Sequence, residues 1–206
     1  MTDNQYLYDL HLHIAPLSRC SILSFDDMCN NISNRLRGFA ITDHDYIPPP
    51  SKVKQQREVV QDKLGMRLFY GSEITTNIGH LLVFGILKIP SRKLSAKKLI
   101  NLVHDSGGVV VAAHPWRNVG YPWGGIAEKV YEYDIDALEI NGQATKKQND
   151  KAQIAAKELN LPTTGGSDAH SIKGLNKVVT LVSKPLFKEL DLIKEILNKR
   201  TVGIYL

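Results

Sequence analysis

The chain has 206 residues, 43% of them hydrophobic and 23% charged, a balance that suits a folded globular domain and excludes a low-complexity or solvated coil. A formal net charge of +5 is a mild basic excess, compatible with phosphorylated or nucleic-acid substrates without requiring them. Two cysteines, Cys20 and Cys29, leave no material for a disulfide framework or a paired-cysteine zinc knuckle. With no secretory leader pattern and no apolar run of membrane-spanning length, a cytoplasmic protein with no membrane partner is expected.

Short apolar runs alternate with amphipathic segments along the whole chain. Tyr6–Leu10, Gly38–Thr42, Arg67–Gly71, Val109–Ala113, Asp136–Ile140, Pro162–Gly165 and Lys177–Val182 read as strands. Leu81–Gly85 adds a further strand, expected to form an antiparallel hairpin with Arg67–Gly71. Between them Ser24–Arg35, Ser51–Leu64, Ser95–Asp105, Ile126–Tyr133, Lys146–Asn160 and Pro185–Asn198 read as helices. Ser24 before Asp26 and Asp27, and Ser95 before Lys97–Asp105, have the hydroxyl that caps a helix start. The Gly107-Gly108 doublet stops a helix where positive φ is cheap. Lys97-Lys98 and Lys146-Lys147 read as solvated helix faces. The alternation predicts a parallel sheet, and seven repeats in this length fit a small closed (β/α) barrel, one domain over residues 1–206.

In such a barrel, chemistry gathers at the C-terminal ends of the strands. The first strand runs into Asp9-Leu10-His11-Leu12-His13, where side chains two apart share a face and His11 projects beside His13. The second ends in Thr42-Asp43-His44-Asp45, the third in Gly71-Ser72-Glu73, with Gly79-His80 opening the hairpin's return. Ala113-His114-Pro115-Trp116-Arg117, Glu139-Ile140-Asn141 and Gly166-Ser167-Asp168-Ala169-His170 follow later strands. Six of the seven histidines fall at these ends and only His104 lies inside a helix, where it reads as a C-terminal histidine facing the dipole. Packing alone does not segregate histidines in this way. Imidazoles and carboxylates gathered together are ligands for Zn, Mn or Fe.

This ordered series, and above all the opening Asp-Leu-His-Leu-His with the late Ser-Asp-Ala-His, resembles the PHP (polymerase and histidinol phosphatase) superfamily from Asp9 to about Gly174. The resemblance implies a distorted, TIM-like (β/α)7 barrel holding two or three divalent metal ions and hydrolysing phosphate esters. It implies one metal on His11, His13, Glu73 and Asp168, a second sharing Glu73 and adding His80 and His114, and a third on His44 and His170. Asp9, Asp43 and Asp45 then read as carboxylates that orient imidazole N–H groups. One departure stands out. The family's first loop continues with an Asp or His, whereas Ile14–Cys20 offers neither, and Ser18 or Arg19 occupies that position. The third metal is therefore left open, with Cys20 read as a buried free thiol rather than a ligand.

The reaction expected is attack of an activated water, placed beside Glu73, on phosphorus. Arg117 is the candidate for binding phosphate and Arg19 a second, each with a plain surface reading beside it. The leaving-group acid is His170, His44 or water. Trp116, Tyr121, Pro122 and Trp123 either wall a substrate pocket or pack, and Glu139 and Asn141 either line its mouth or serve as hydrogen-bonding supports. Ile47-Pro48-Pro49-Pro50 reads as a rigid exit from the second-strand loop. The substrate expected is a small phosphorylated metabolite, a nucleotide or a short oligonucleotide. Two alternatives stand behind it: a metal-dependent amide or ester hydrolase, and a non-catalytic nucleic-acid-binding subunit.

Overall fold

The computed structural model describes residues 5–89, 94–118, 120 and 124–206. Tyr121, Pro122 and Trp123, read above as a pocket wall, lie outside the described residues. Nine strands form one sheet: β1 (Tyr6–Asp9), β2 (Gly38–Ile41), β3 (Arg67–Thr76), β4 (Gly79–Phe84), β5 (Val109–Ala112), β6 (Ala137–Asn141), β7 (Thr163–Gly166), β8 (Val178–Val182) and β9 (Thr201–Tyr205). Their order is β7-β6-β5-β4-β3-β2-β1-β8-β9. The two ends of this order approach each other. Leu10 N–H donates to Gly165 O at 3.3 Å, and Leu12 bridges Ala169 in parallel, so β7 returns to the first strand and the sheet all but closes into the distorted TIM-like barrel expected.

The sheet is mixed, not parallel as the alternation predicted. β4 runs antiparallel to both β3 and β5, and β8 is antiparallel to β1 and β9. The antiparallel β3–β4 hairpin is the one expected: Asn77 and Ile78 turn the chain back at once, leaving no room for a crossover helix, and the returning strand then pairs antiparallel with β5 as well. The strand β9 was not foreseen, because its five residues directly follow a charged helix end.

Helices α1 (Phe25–Asn31), α2 (Pro50–Leu64), α3 (Ala96–Asp105), α4 (Lys146–Glu158) and α5 (Glu189–Leu197) cover the barrel. Ser24 and Ser95 cap α1 and α3 as predicted, accepting from Asp27 N–H and Lys98 N–H, and Gly107 takes a positive φ of 73° after α3. Pro49 occupies the position before α2 without a side-chain cap, and Pro50 fills the first helical position, where a missing N–H costs nothing. The helix expected at Ile126–Tyr133 is only a 3-10 turn, Ala127–Tyr131, and α1 stops at Asn31 because Ile32 is already extended. His104 in the last turn of α3 does more than face the dipole: its Nε2 lies 2.9 Å from Asp136 Oδ2, joining α3 to the start of β6.

Leu99, Ile100 and Val103 of α3 pack on Val83, Val110 and Leu138, while Met28, Cys29 and Val60 of α1 and α2 pack on Phe39, Ile41 and Leu68. Leu192, Ile193 and Ile196 of α5 meet Tyr8, Phe69, Phe84 and Val109, which come from four strands. That helix thus stoppers one barrel end, and the polar groups described next collect at the other. No helix among the described residues is long and apolar enough to cross a membrane.

Candidate metal centre

β1 ends at Asp9, yet the chain stays extended beyond it. His13 N–H donates to Ala169 O at 3.1 Å and Thr42 N–H to Leu12 O at 2.9 Å, so the alternation persists. Leu12 enters the core, and His11 and His13 turn together to the opposite face, both fully buried. Glu73 lies within β3 rather than at its end. The hairpin register sets it opposite Leu82 and Thr75 opposite His80, which places Glu73 and His80 diagonally on one face, Oε1 to Nδ1 at 2.8 Å. His114 follows β5 and Asp168 follows β7, each with positive φ (32° and 53°). Backbone bonds hold these bends: His114 N–H donates to Glu139 Oε2 at 2.7 Å and Asp168 N–H to His11 O at 2.8 Å.

Glu73 is the hub of the resulting cluster. Its Oε2 lies 3.4, 3.1 and 3.2 Å from nitrogens of His11, His13 and His44, and its Oε1 lies 2.8 Å from His80 and from His114. Burial works against the charge, but His11 and His80 overcome it and hold the carboxyl well below its usual range. Asp168 is likewise held low against burial, chiefly by His11 and His13. Burial also opposes charge on His13, yet Asp168 and Glu73 lift it to about 9. At the more open rim burial prevails: His44 falls to about 4 and His170 is lowered too, so these imidazoles stay neutral and ready to ligate.

The donor set was tested for a metal by asking which atoms have hydrogens to share. His11 Nδ1 lies 2.8 Å from Glu139 Oε1, so Nδ1 bears a hydrogen, and once the ring gives up its second proton Nε2 is the nitrogen with a lone pair. That Nε2 lies 3.0 Å from His13 Nε2, and Asp168 Oδ1 lies 3.6 and 3.5 Å from the pair. With Glu73 Oε2 they make four converging atoms, two of them carboxylate oxygens that only accept. Tetrahedral ligation at 2.0–2.1 Å spaces ligand atoms about 3.3–3.4 Å apart, and the separations here straddle that value. The residues fit a divalent cation. Two more groups, His44 with Glu73 and His80, and His13 with His44 and His170, have ligand atoms within 4.8 Å of one another.

All eight residues read from the sequence as ligands, His11, His13, His44, Glu73, His80, His114, Asp168 and His170, thus face one centre. Arg117 reaches it as well, its Nη1 donating to Asp168 Oδ2 at 2.9 Å. A cleft of about 450 Å³ opens beside Arg117, with Trp116, Asn118, Glu128 and Lys151 in its lining. Trp116 is anchored there through Nε1–H to Glu128 Oε1 at 3.1 Å.

Other expectations need correcting. Cys20 is exposed rather than a buried thiol, because the loop turns outward after Ser18, and Arg19 is exposed beside it. Asp9 and Asp45 orient no imidazole. Asp9 Oδ1 accepts from the backbone N–H groups of His11 and Ser167, and Asp45 Oδ1 from Thr75 N–H. Asp43 touches no imidazole either, accepting instead from Ile14 N–H and the Ser18 hydroxyl. Of the two readings of Glu139 and Asn141, the support role holds. Both are buried, Asn141 Nδ2 donates to Glu139 Oε2 at 2.9 Å, and Glu139 bonds His11 and His114.

Residues 146–201 match a family model described as PHP-associated. The fold is similar to that of a protein assigned as a metal-dependent phosphoesterase from Bifidobacterium adolescentis, with 18% identity, 93% of this chain and 96% of that chain covered, and a TM-score of 0.63. An amidohydrolase from Chromobacterium violaceum, solved with bound sulfate and no metal, shares 14% identity over 95% of this chain and 97% of that chain, with a TM-score of 0.64. A lesion-specific endonuclease from Pyrococcus furiosus shares 16% identity over 97% of this chain but only 57% of its own length, with a TM-score of 0.61. The family-model match covers α4 to the start of β9, about a quarter of the chain, and the ordered histidine and carboxylate motifs at the open end of the barrel agree with the resemblance to the PHP superfamily read from the sequence.

Proposed function

We propose that this chain is a metal-dependent phosphoesterase that hydrolyses a phosphate ester of a small metabolite, a nucleotide or a short oligonucleotide. The observation that carries the reading is the gathering of His11 Nε2, His13 Nε2, Glu73 Oε2 and Asp168 Oδ1 around one point, where a divalent cation would take the place of the protons the two imidazoles otherwise hold. These residues would hold the first divalent ion, Mn, Zn or Fe. Glu73 with His80 and His114 would hold the second, and His44 with His170 a third where one binds. Bound divalent ions supply a nucleophilic water at neutral pH and offset charge on phosphoryl oxygens.

The chain's own groups do the rest. Glu73 turns Oε2 toward His11, His13 and His44 and Oε1 toward His80 and His114, so one carboxylate would be shared between the two ion positions. Arg117 holds one N–H on Asp168 and presents its remaining donors to phosphate oxygens. His170 stands at the rim with its Nδ1 donating to Asp168 O at 2.9 Å, and the leaving group takes its proton from His170 where no third ion occupies it, from His44, or from water. The phosphoesterase and endonuclease among similar folds support this class of substrate. The amidohydrolase keeps a second reading, amide or ester hydrolysis, in contention. We read the chain as one domain over residues 1–206, acting in the cytoplasm.

The test is metal content together with para-nitrophenyl phosphate turnover under Mn, Zn and Mg. Two or more ions per chain, with metal and activity both lost in His11→Ala and Asp168→Ala, are expected. A chain that binds none of these ions and gains no activity from them overturns the reading.

A further inference from the structure

His11 and His13 are set side by side, but they are supported differently. The Nδ1 of His11 meets a carboxylate directly, Glu139 Oε1 at 2.8 Å. The Nδ1 of His13 meets no carboxylate. It faces the hydroxyl of Ser18 at 3.1 Å, and that hydroxyl lies 2.6 Å from Asp43 Oδ1. Ser18 is 1% exposed and Asp43 2%, so neither bond is shared with solvent.

The direction of every hydrogen in this chain of contacts is determined by two backbone amides. Ile14 N–H, which can only donate, points at Asp43 Oδ1 at 2.9 Å, so this oxygen accepts. Ser18 therefore gives its single hydrogen to the same oxygen. His44 N–H, again only a donor, reaches Ser18 Oγ at 3.3 Å and takes one of its lone pairs. The other lone pair faces His13 Nδ1. The hydroxyl has then spent its one donor and both acceptors, and Nδ1 must be the nitrogen that carries the hydrogen. In the neutral ring that binds a metal, His13 Nε2 is then the nitrogen that turns its lone pair toward the metal point.

We propose that Ser18 is a positioning residue for the metal centre: through it Asp43 fixes the tautomer and ring orientation of His13, and the same hydroxyl ties the loop after β1 to the backbone of His44. This rests on the metal-dependent reading above. It also explains why the loop needs no Asp or His at this position. Ser18 acts on a ligand from behind instead of serving as one, and Arg19 and Cys20 are free to face solvent. Direct carboxylate support makes the His11 side firm. Support through a hydroxyl makes the His13 side depend on a single oxygen, Ser18 Oγ, that one substitution removes.

Equilibrium zinc binding by competition with a chelator of known affinity, on wild-type protein and on Ser18→Ala, Ser18→Thr and Asp43→Asn, tests the proposal, with the melting temperature of the metal-free proteins taken alongside. Removing a partner that orients a ligand costs about 10–100-fold in metal affinity. Ser18→Ala and Asp43→Asn are expected to lose that much, and Ser18→Thr, which keeps the hydroxyl, to recover most of it. Cobalt-loaded Ser18→Ala is expected to show shifted visible absorption bands, since the geometry of one ligand changes. Ser18→Ala with wild-type affinity and wild-type cobalt bands, whatever its melting temperature, overturns the proposal and leaves the metal reading standing. Wild-type protein that binds no divalent ion overturns both. A Ser18→Thr variant no better than Ser18→Ala shows that the loop's packing, not the hydroxyl, sets affinity, and rejects the relay.

Discussion

Asp168 is shared between the metal point and Arg117. Its Oδ1 faces His11 and His13 at 3.6 and 3.5 Å, and its Oδ2 accepts from Arg117 Nη1 at 2.9 Å. A single carboxylate therefore sets the distance between the proposed cation position and the guanidinium proposed to meet phosphate. Arg117 is 26% exposed, so it is reachable from the cleft while its head group stays oriented.

Arg117→Ala is expected to lower kcat/KM for a phosphate ester about 100-fold, the scale for losing one preorganised charge donor, with metal content unchanged. Parallel assays on an activated carboxylic ester separate the two hydrolase readings. Equal loss on both substrates rejects phosphate binding as the role of Arg117.

Chelation is expected to change how stability depends on pH. In the metal-free fold His13 is raised from 6.5 to about 9, so it contributes stability in full below about 6.5 and loses it as pH rises to about 9. Bound metal takes the place of that proton. Melting temperatures of the metal-free protein should fall between pH 6.5 and 9, while those of the loaded protein stay level over that range, as calorimetry at four or five pH values will report. Parallel curves for the two forms contradict this.

Glu139→Gln is expected to weaken metal binding by about 10–100-fold and to destabilise the fold by about 1–3 kcal/mol. The substitution puts an amide N–H₂ against one of the donors of His11, His114 or Asn141, all buried. Chelator competition and urea melts measure the two effects separately. Wild-type values in both remove Glu139 from the support of the site.

Far from the site, Glu195 of α5 is buried and bonded to Arg200 Nη2 at 2.6 Å and to Ser183 at 2.8 Å. The Arg200 guanidinium, opposed by burial, brings its carboxyl down to about 2. A depressed carboxylate stabilises above its ordinary value near 4.5 and ceases to do so as pH falls toward 2. With Arg200 partly exposed, the contribution is on the order of 2 kcal/mol. Glu195→Gln should lose that amount at pH 7 and differ little from wild type near pH 2, as urea melts at both values will show.

The sequence revealed the site better than the frame that holds it. Histidines and acids recur after apolar runs at intervals any reader can mark, and chemistry alone makes their grouping conspicuous. The strand β4 could be read because its hairpin with β3 is local, but its antiparallel pairing to β5 depends on residues some thirty positions away. The roles of Glu139 and Ser18 were hidden for a related reason. A carboxylate or hydroxyl near a strand end has the same composition whether it lines a mouth or backs an imidazole, and only the fold decides which nitrogen it meets. Asp9 and Asp45 show the converse: adjacency to a histidine in sequence led to backbone amides instead. The strand β9 gave no alternating pattern, since it is recruited by pairing with β8 rather than by its own residues.

The closing seam of the barrel, where the first strand meets the seventh, rests on few backbone bonds: Leu10 to Gly165, His13 to Ala169 and Asp168 to His11. His11 and His13 lie on one side of that seam and Asp168 on the other. An ion held by all three, as proposed, would work as a rivet through the joint, fastening residue 11 to residue 168 across about three quarters of the chain. Loss of the rivet would let the barrel unzip first at that joint, so the protein's catalytic fitness and its resistance to unravelling are set by the same bolt.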